Sequence, residues 1–264
     1  MQVLVFIPMG FLLFLTEGLS ATAKEGLSVA PKAYLCDDTS AFTGATWWYD
    51  WGHNQSEHHI QNCSSTTRGE YVPMIWGEKA LKTVLLPKNA KYVLGFNEPD
   101  RPDQSNMTPQ KVAELWPQVE LKAKGKILIG PALSGCGNAN HCIEWFTEFF
   151  NYCKSCRVDL LAAHAYSCDA DGIISSLETI SAKFQKKIWL TEFSCAKAKT
   201  VAEQLTFLKK IQPMLESSAA VERYSWFVTR LAKNTSFINN STDLLERGSS
   251  TLSELGQAYD RFQP

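Results

Sequence analysis

Short runs rich in β-branched and aromatic residues, most ending in polar or aromatic side chains, alternate along this chain with segments of helical period. Eight runs read as strands, near 32–36, 46–51, 71–76, 92–97, 127–131, 158–166, 188–193 and 221–228. Helical segments are expected over 78–86, 108–123, 142–152, 172–184, 201–215 and 250–262, the second opened by Thr108-Pro109, an N-cap followed by proline at the first helical position. Strand-helix alternation implies parallel pairing, and eight units are the number that closes into a barrel. The expected fold is therefore α/β: a single (β/α)8 TIM-type barrel braced by disulfides. Its first and second helices are abbreviated, because 41–45 is too short for a helix and 52–69 is polar and irregular. A doubly wound open sheet would show a glycine-rich turn after its first strand, and Cys36-Asp37-Asp38-Thr39-Ser40 is not one.

With 264 residues and 45% hydrophobic content the chain can bury one large core, and no linker or low-complexity tract divides it. A net charge of −1, with no basic run, argues against a nucleic-acid partner and a polybasic membrane tether. Residues 1–15 are apolar but too few for a comfortable membrane span, and Ala21-Thr22-Ala23 has the small-x-small pattern of a cleavage site. The reading is a secretory signal peptide over 1–23 and a catalytic barrel domain over 24–264; the missing positive n-region leaves an uncleaved anchor as the alternative. Export agrees with eight cysteines and with Asn-x-Ser/Thr acceptors at Asn54, Asn62, Asn106, Asn234, Asn239 and Asn240. Hence the expectation is an extracellular, secreted glycoprotein, a monomer with no membrane attachment after cleavage.

Eight cysteines permit 105 full pairings. Cys168 and Cys195 follow neighbouring strands by a few residues, close enough for a bridge that braces the second of these loops. Cys36 with Cys63, Cys136 with Cys142, and Cys153 with Cys156 complete a local scheme; Cys153-Lys154-Ser155-Cys156 has redox-motif spacing but no thioredoxin-like surroundings.

The C-terminal ends of barrel strands converge on one face, where function resides. Here those ends are aromatic and acidic: Trp47-Trp48-Tyr49-Asp50-Trp51, Trp76, His164-Ala165-Tyr166 and Tyr224-Ser225-Trp226-Phe227. Flat apolar rings stack on the C–H face of a pyranose, although core packing accounts for any single one of them. Glu98 ends the fourth strand and Glu192 the seventh, across the barrel mouth from each other. A carboxylate at the end of an apolar strand is costly unless it faces a polar pocket or pairs with a buried arginine. Two such groups facing each other suit glycosidic cleavage, with a spacing near 5–5.5 Å for retention and a wider one for inversion.

The ordered blocks Trp48-Tyr49-Asp50-Trp51-Gly52, Tyr71-Val72-Pro73-Met74-Ile75-Trp76-Gly77, Leu94-Gly95-Phe96-Asn97-Glu98-Pro99-Asp100, Cys156-Arg157-Val158-Asp159, His164-Ala165-Tyr166, Trp189-Leu190-Thr191-Glu192-Phe193 and Val221-Glu222-Arg223-Tyr224-Ser225-Trp226-Phe227 resemble glycoside hydrolase family 128, the Asl1-like endo-β-1,3-glucanase cores. The resemblance runs from about residue 32 to the C-terminus. It implies Glu98 as general acid/base, Glu192 as nucleophile, Asn97 on the sugar 2-hydroxyl, Tyr166 beside the nucleophile and Trp226 as floor of the subsite where the cleaved ring binds. With Trp48, Asp50, Trp51, Trp76 and His164 these are the candidate substrate-binding residues. The family usually has tryptophan where this chain has Ala165, which implies a reshaped cleft wall.

His53, His58 and His59 share a polar loop with Glu57, but no spacing of the His-Glu-x-x-His kind fixes them as ligands, and no metal or cofactor is expected. The function expected is a retaining endo-β-1,3-glucanase that takes β-1,3-glucan poly- or oligosaccharide. The alternative is a non-catalytic glucan-binding protein using the same cleft.

Overall fold

The structure, a computed structural model, describes residues 24–55 and 67–260. Eight parallel strands form one sheet: β1 (Glu25–Ser28), β2 (Trp47–Tyr49), β3 (Glu70–Tyr71), β4 (Tyr92–Leu94), β5 (Ile127–Leu133), β6 (Leu160–Ala165), β7 (Ile188–Phe193) and β8 (Val221–Trp226). Their order is β3-β2-β1-β8-β7-β6-β5-β4. The parallel bridge Met74↔Leu94 joins the segment after β3 to β4 and closes the barrel. Helices α1 (Glu78–Thr83), α2 (Pro109–Lys122), α3 (Ala139–Tyr152), α4 (Ala170–Phe184), α5 (Val201–Ser217) and α6 (Glu254–Asp260) follow β3 to β8 in turn. Local chemistry starts them: Thr108 and Asp169 accept backbone N–H bonds at the starts of α2 and α4, and Thr200 with Glu203 forms a capping box on α5. Between β1 and β2 stands only a 3-10 turn, Pro31–Ala33, so the abbreviated first crossover is as read.

The first strand is not where the sequence pattern put it. Residues 32–36 lie in turns, because Asp38 accepts from the Leu35 N–H and receives a bidentate Arg230 guanidinium at 2.9 and 3.0 Å. The true β1 is Glu-Gly-Leu-Ser, too short and polar to show as a strand. Its Gly26 is required by a close approach: a Cβ there would lie 2.1 Å from the Trp47 indole. β3 is also shorter than expected, since Pro73 has no N–H to give the ladder and the chain continues as an extended strap.

The two faces of the sheet bury different clusters. Trp47, Tyr49, Met74, Leu94, Ala162 and Trp189 fill the barrel interior. Trp48, Phe96, Ala165, Leu190, Phe193 and Trp226 belong to the larger cluster under the helices. This is the period-two alternation of strands, and it decides which residues can reach the mouth. At the end of the barrel opposite the mouth, the half-buried Arg223 guanidinium lies 4.5 Å over the Tyr92 ring and 4.6 Å over the Trp189 ring while pairing with Glu70 at 2.8 Å.

Disulfides join Cys136 to Cys142, Cys153 to Cys156, and Cys168 to Cys195. The expected Cys36–Cys63 pair involves Cys63, which with Glu57, His58, His59 and Asn62 lies outside the described residues. Among the described residues no helix is long and apolar enough to cross a membrane.

Candidate active site

Two carboxylates reach the barrel mouth because the backbone breaks its alternation at both. On β7, Leu190 faces the helices, Thr191 and Glu192 both face inward, and Phe193 returns to the outer cluster. The register against β6 jumps from Ala163↔Leu190 to His164↔Glu192, a bulge that turns two consecutive side chains the same way. Beyond β4, Glu98 adopts φ +40°, a conformation that costs non-glycine residues about 1–3 kcal/mol. Its N–H is held on Ala132 O at 2.8 Å and that of Asn97 on Trp76 O at 2.9 Å. Trp51, at φ +62°, is a second residue at the mouth in this region.

Carboxylate oxygens of Glu98 and Glu192 and a ring nitrogen of His164 lie within 4.8 Å of one another. Glu98 is 8% exposed and Glu192 5%, enough for contact with a ligand in the cleft. Glu192 Oε1 accepts from Trp51 Nε1 at 2.9 Å, and its Oε2 accepts from the Tyr166 hydroxyl. Burial pushes the Glu192 carboxyl above its ordinary value, the His164 ring opposes this, the Glu98 charge adds to it, and the Tyr166 and Trp51 donors pull it back. The Tyr166 phenol is held well above its ordinary value by burial and by the Glu192 charge, so it is a neutral donor. His164, fully buried, contacts Glu98 Oε1 through Nδ1 at 2.8 Å and Thr191 Oγ1 through Nε2 at 3.0 Å. Asp100 accepts from the Ser134 N–H and hydroxyl at 3.1 and 2.7 Å, tying the Glu98 loop to that after β5.

A cleft of about 820 Å³ opens over the pair. Trp51, Trp76, Asn97, Tyr166, Phe227 and Phe237 line it, together with Arg101 and Gln104. Asn97 Nδ2 donates to Gln104 Oε1 at 3.3 Å, leaving its buried Oδ1 without a partner. Thus Asn97, Trp51, Trp76 and Tyr166 meet Glu98 and Glu192 in one cleft, and His164 lies directly behind it.

Three expected cleft residues are elsewhere. Trp48 and Trp226 point from their strands to the helical side and are fully buried there; Trp226 packs against Phe193 at 5.1 Å and donates to Thr242 O. Asp50, fully buried, accepts from the Tyr71 hydroxyl at 2.8 Å and the Gly52 N–H. Alternation also moves Ala165 out of the cleft: it sits in the outer core between the inward His164 and Tyr166, so its small size alters helix packing and no wall. Conversely Phe227, one residue past Trp226, and Phe237, 53% exposed, are cleft residues that aromatic clustering alone did not single out. Counting alternation from Tyr224 would have found Phe227; Phe237 lies in a loop and carries no such signal. Glu98, His164 and Glu192 are the described residues grouped closely enough to hold a metal ion, but one at His164 Nδ1 would displace the hydrogen bond to Glu98.

Comparison with known proteins places this geometry. Residues 26–259 match the profile described as the glycosyl hydrolase catalytic core. Alkali-sensitive linkage protein 1 of Schizosaccharomyces pombe is 29% identical over 252 residues, which cover 91% of this chain but 45% of that protein. The crystal structure of a family 128 subgroup II endo-β-1,3-glucanase from Sorangium cellulosum is 32% identical, with TM-score 0.75 over 90% of this chain and 98% of that one. A subgroup I endo-β-1,3-glucanase from Amycolatopsis mediterranei, solved with laminarihexaose, is 27% identical, with TM-score 0.71 over 90% of this chain and 98% of that one.

Proposed function

The chain belongs to the glycosyl hydrolase catalytic-core family, with its structural relatives in glycoside hydrolase family 128, and we propose that it is a secreted, retaining endo-β-1,3-glucanase. The observation that carries the reading is the approach of Glu98 and Glu192 to within 4.8 Å across the mouth of an aromatic cleft. An approach this close supports double displacement, in which a carboxylate attacks the anomeric carbon directly and no water sits between the groups.

Glu98 gives its proton to the glycosidic oxygen as the bond to the anomeric carbon breaks, while Glu192 forms the glycosyl ester on the opposite face. Glu98, now charged, takes a proton from water as the water oxygen bonds to the anomeric carbon and Glu192 leaves. The environments suit these roles. Glu192 accepts from two donors, Trp51 and Tyr166, which favour its charged form against burial, whereas the Oε2 of Glu98 has Arg101 at 3.6 Å. The unpartnered Asn97 Oδ1 is placed to accept from a sugar 2-hydroxyl, a contact that strengthens as the ring flattens. The cleft lining draws on the loops after β3 and β4 (Trp76, Arg101 and Gln104) and on those after β1 and β8 (Pro31, Phe227 and Phe237), which supports attack within a chain. Three disulfides among the described residues support an extracellular setting. The binding-only alternative rested on Ala165 and on the dense glycan acceptors, and Ala165 does not line the cleft.

Anomer-resolved product analysis on laminarin and curdlan tests the proposal. Internal cleavage to β-configured oligosaccharides is expected, and Glu192→Ala should be inactive but rescued by azide as an α-glycosyl azide. Initial α-products would overturn retention, glucose as sole early product would overturn the endo mode, and an unimpaired Glu192→Ala enzyme would remove the nucleophile.

A further inference from the structure

Resting on that reading, we propose that His164 is a positioning residue whose Nδ1–H serves the two glutamates in turn, following the negative charge as it passes from Glu192 to Glu98 and back. Double displacement moves one negative charge between the two glutamates, and a donor within reach of both can follow it. Before cleavage Glu192 is negative and Glu98 carries a proton. After the first half-reaction the leaving oxygen holds that proton, Glu192 is a neutral ester, and the charge is on Glu98. Water then gives its proton to Glu98 and its oxygen to the anomeric carbon, and the charge returns to Glu192. The pair stays at one negative charge throughout while that charge moves between two buried sites.

His164 sits where both sites can be reached. Its Nδ1 is 2.8 Å from Glu98 Oε1 and 3.5 Å from Glu192 Oε2, and the ring has no exposed surface through which water could do the same work. The other nitrogen is mounted on Thr191 Oγ1 at 3.0 Å, and a hydroxyl can donate or accept, so the ring keeps its place whether neutral or charged. Thr191 is itself fixed: it lies at the β7 bulge and its carbonyl accepts from the Tyr49 hydroxyl at 2.8 Å. Facing the ring are Glu98 beyond β4, Glu192 on β7 and, farther, Asp100; Tyr49 on β2 and Tyr166 after β6 are held neutral by burial, and Arg101 is the cation beside Glu98. Burial opposes a charged ring, but the Glu192 charge and the Glu98 hydrogen bond outweigh it, and the imidazole lies above its ordinary value.

The test is steady-state kinetics on laminari-oligosaccharides, with full pH profiles, for the enzyme and four variants whose melting temperatures are checked first. His164→Leu is expected to lower kcat about 100-fold with KM within about twofold. His164→Asn, whose amide nitrogen stands where Nδ1 does but does not titrate, should recover about tenfold of that loss and remove the imidazole's contribution to the alkaline limb. If His164→Leu fails to fold, Thr191→Val and Thr191→Ser decide. Valine removes the acceptor that supports the charged ring and should move the alkaline limb to lower pH, whereas serine should leave it in place. Unchanged kcat and pH profile in folded His164→Leu or Thr191→Val, or a rise in KM alone, would overturn the coupling while leaving the glucanase reading standing. A wild-type protein inactive on these oligosaccharides would overturn both.

Discussion

Replacing Tyr166 by phenylalanine isolates the stabilisation of Glu192, the proposed nucleophile, from every other property of the cleft. The hydroxyl donates to Glu192 Oε2, and it is neutral throughout the working range because burial and the Glu192 charge hold its proton on. The ring stays when the hydroxyl goes: its edge contacts with Phe227 at 5.6 Å and Phe237 at 5.0 Å involve carbon alone. A hydrogen bond to a charged acceptor contributes about 1.5–3 kcal/mol, and 1.36 kcal/mol is one pKa unit or one decade in rate. Tyr166→Phe should therefore raise the Glu192 carboxyl by about one to two units beyond its already elevated value. The acid limb of kcat/KM then moves to higher pH by that amount. The same bond also helps orient the oxygen for attack, so kcat at the optimum should fall about 10- to 100-fold. KM should stay within about twofold, since the aromatic surface offered to substrate is unchanged. Kinetics on a laminari-oligosaccharide between pH 3 and 9 measure all three quantities. An unshifted acid limb with kcat within twofold of wild type would refute the view that Tyr166 keeps Glu192 ionised.

The remaining predictions concern stability and the division between core and cleft. Glu25 is buried on β1 and its carboxyl is pushed well above the ordinary range by burial, by Asp260 and by Glu216, with Gln212 opposing. Its contribution is fully present below the unfolded value near 4.3 and is lost as pH rises towards the folded value, about 1.4 kcal/mol per pH unit. Glu25→Gln should thus raise Tm at pH 6 and above but not at pH 4, and equal Tm values across this range would contradict it. Trp226→Ala should cost about 3–5 kcal/mol with KM unchanged in the folded fraction. Phe237→Ala should cost under about 0.5 kcal/mol while raising KM. Urea unfolding and oligosaccharide kinetics on both variants separate the roles, and the reverse pattern would move the cleft floor back to Trp226. Replacing Cys168 and Cys195 by serine opens a 27-residue loop and should cost about 3.6 kcal/mol by loop-closure entropy. Tm and activity should fall together, because both ends of the bridge lie within three residues of Tyr166 or Glu192.

The strand-helix alternation, the barrel and the paired glutamates were all legible, because each leaves a periodic or terminal signature. β1 was not: Glu25–Ser28 has one strongly apolar residue, Leu27, and its place in the sheet comes from pairing with β2 and β8 on either side, information that lies in other parts of the chain. The misplaced Trp48 and Trp226 show a different limit. A run of aromatics at a strand end locates the mouth, but only the phase of the alternation says which rings enter it, and that phase depends on where pairing begins. Trp47 and Tyr49 fix it for β2; Tyr224, in the outer core, fixes it for β8 and hands the cleft to Phe227.

The proposed catalytic positions are where phase fails altogether, and the failure has a physical use. Strict alternation at the end of β7 would give inward Thr191, outward Glu192 and inward Phe193, burying a carboxylate under the helices and placing a phenyl ring at the mouth. The bulge reverses both and brings Thr191 and Glu192 inward together, so that the residue mounting His164 and the proposed nucleophile are neighbours in the chain. Glu98 achieves the same doubling by another route: after the inward Asn97, a positive φ turns the next side chain inward as well. Each device costs regular pairing or about 1–3 kcal/mol of backbone strain, and each is stabilised by what surrounds it. The Ala132 carbonyl and the Asp100–Ser134 bonds fix the Glu98 loop, and the Cys168–Cys195 bridge and the Tyr49 hydroxyl fix the Glu192 strand. The two carboxylates thus owe their mutual distance to departures from the barrel's regular geometry, while the barrel supplies the rigid frame against which those departures are held.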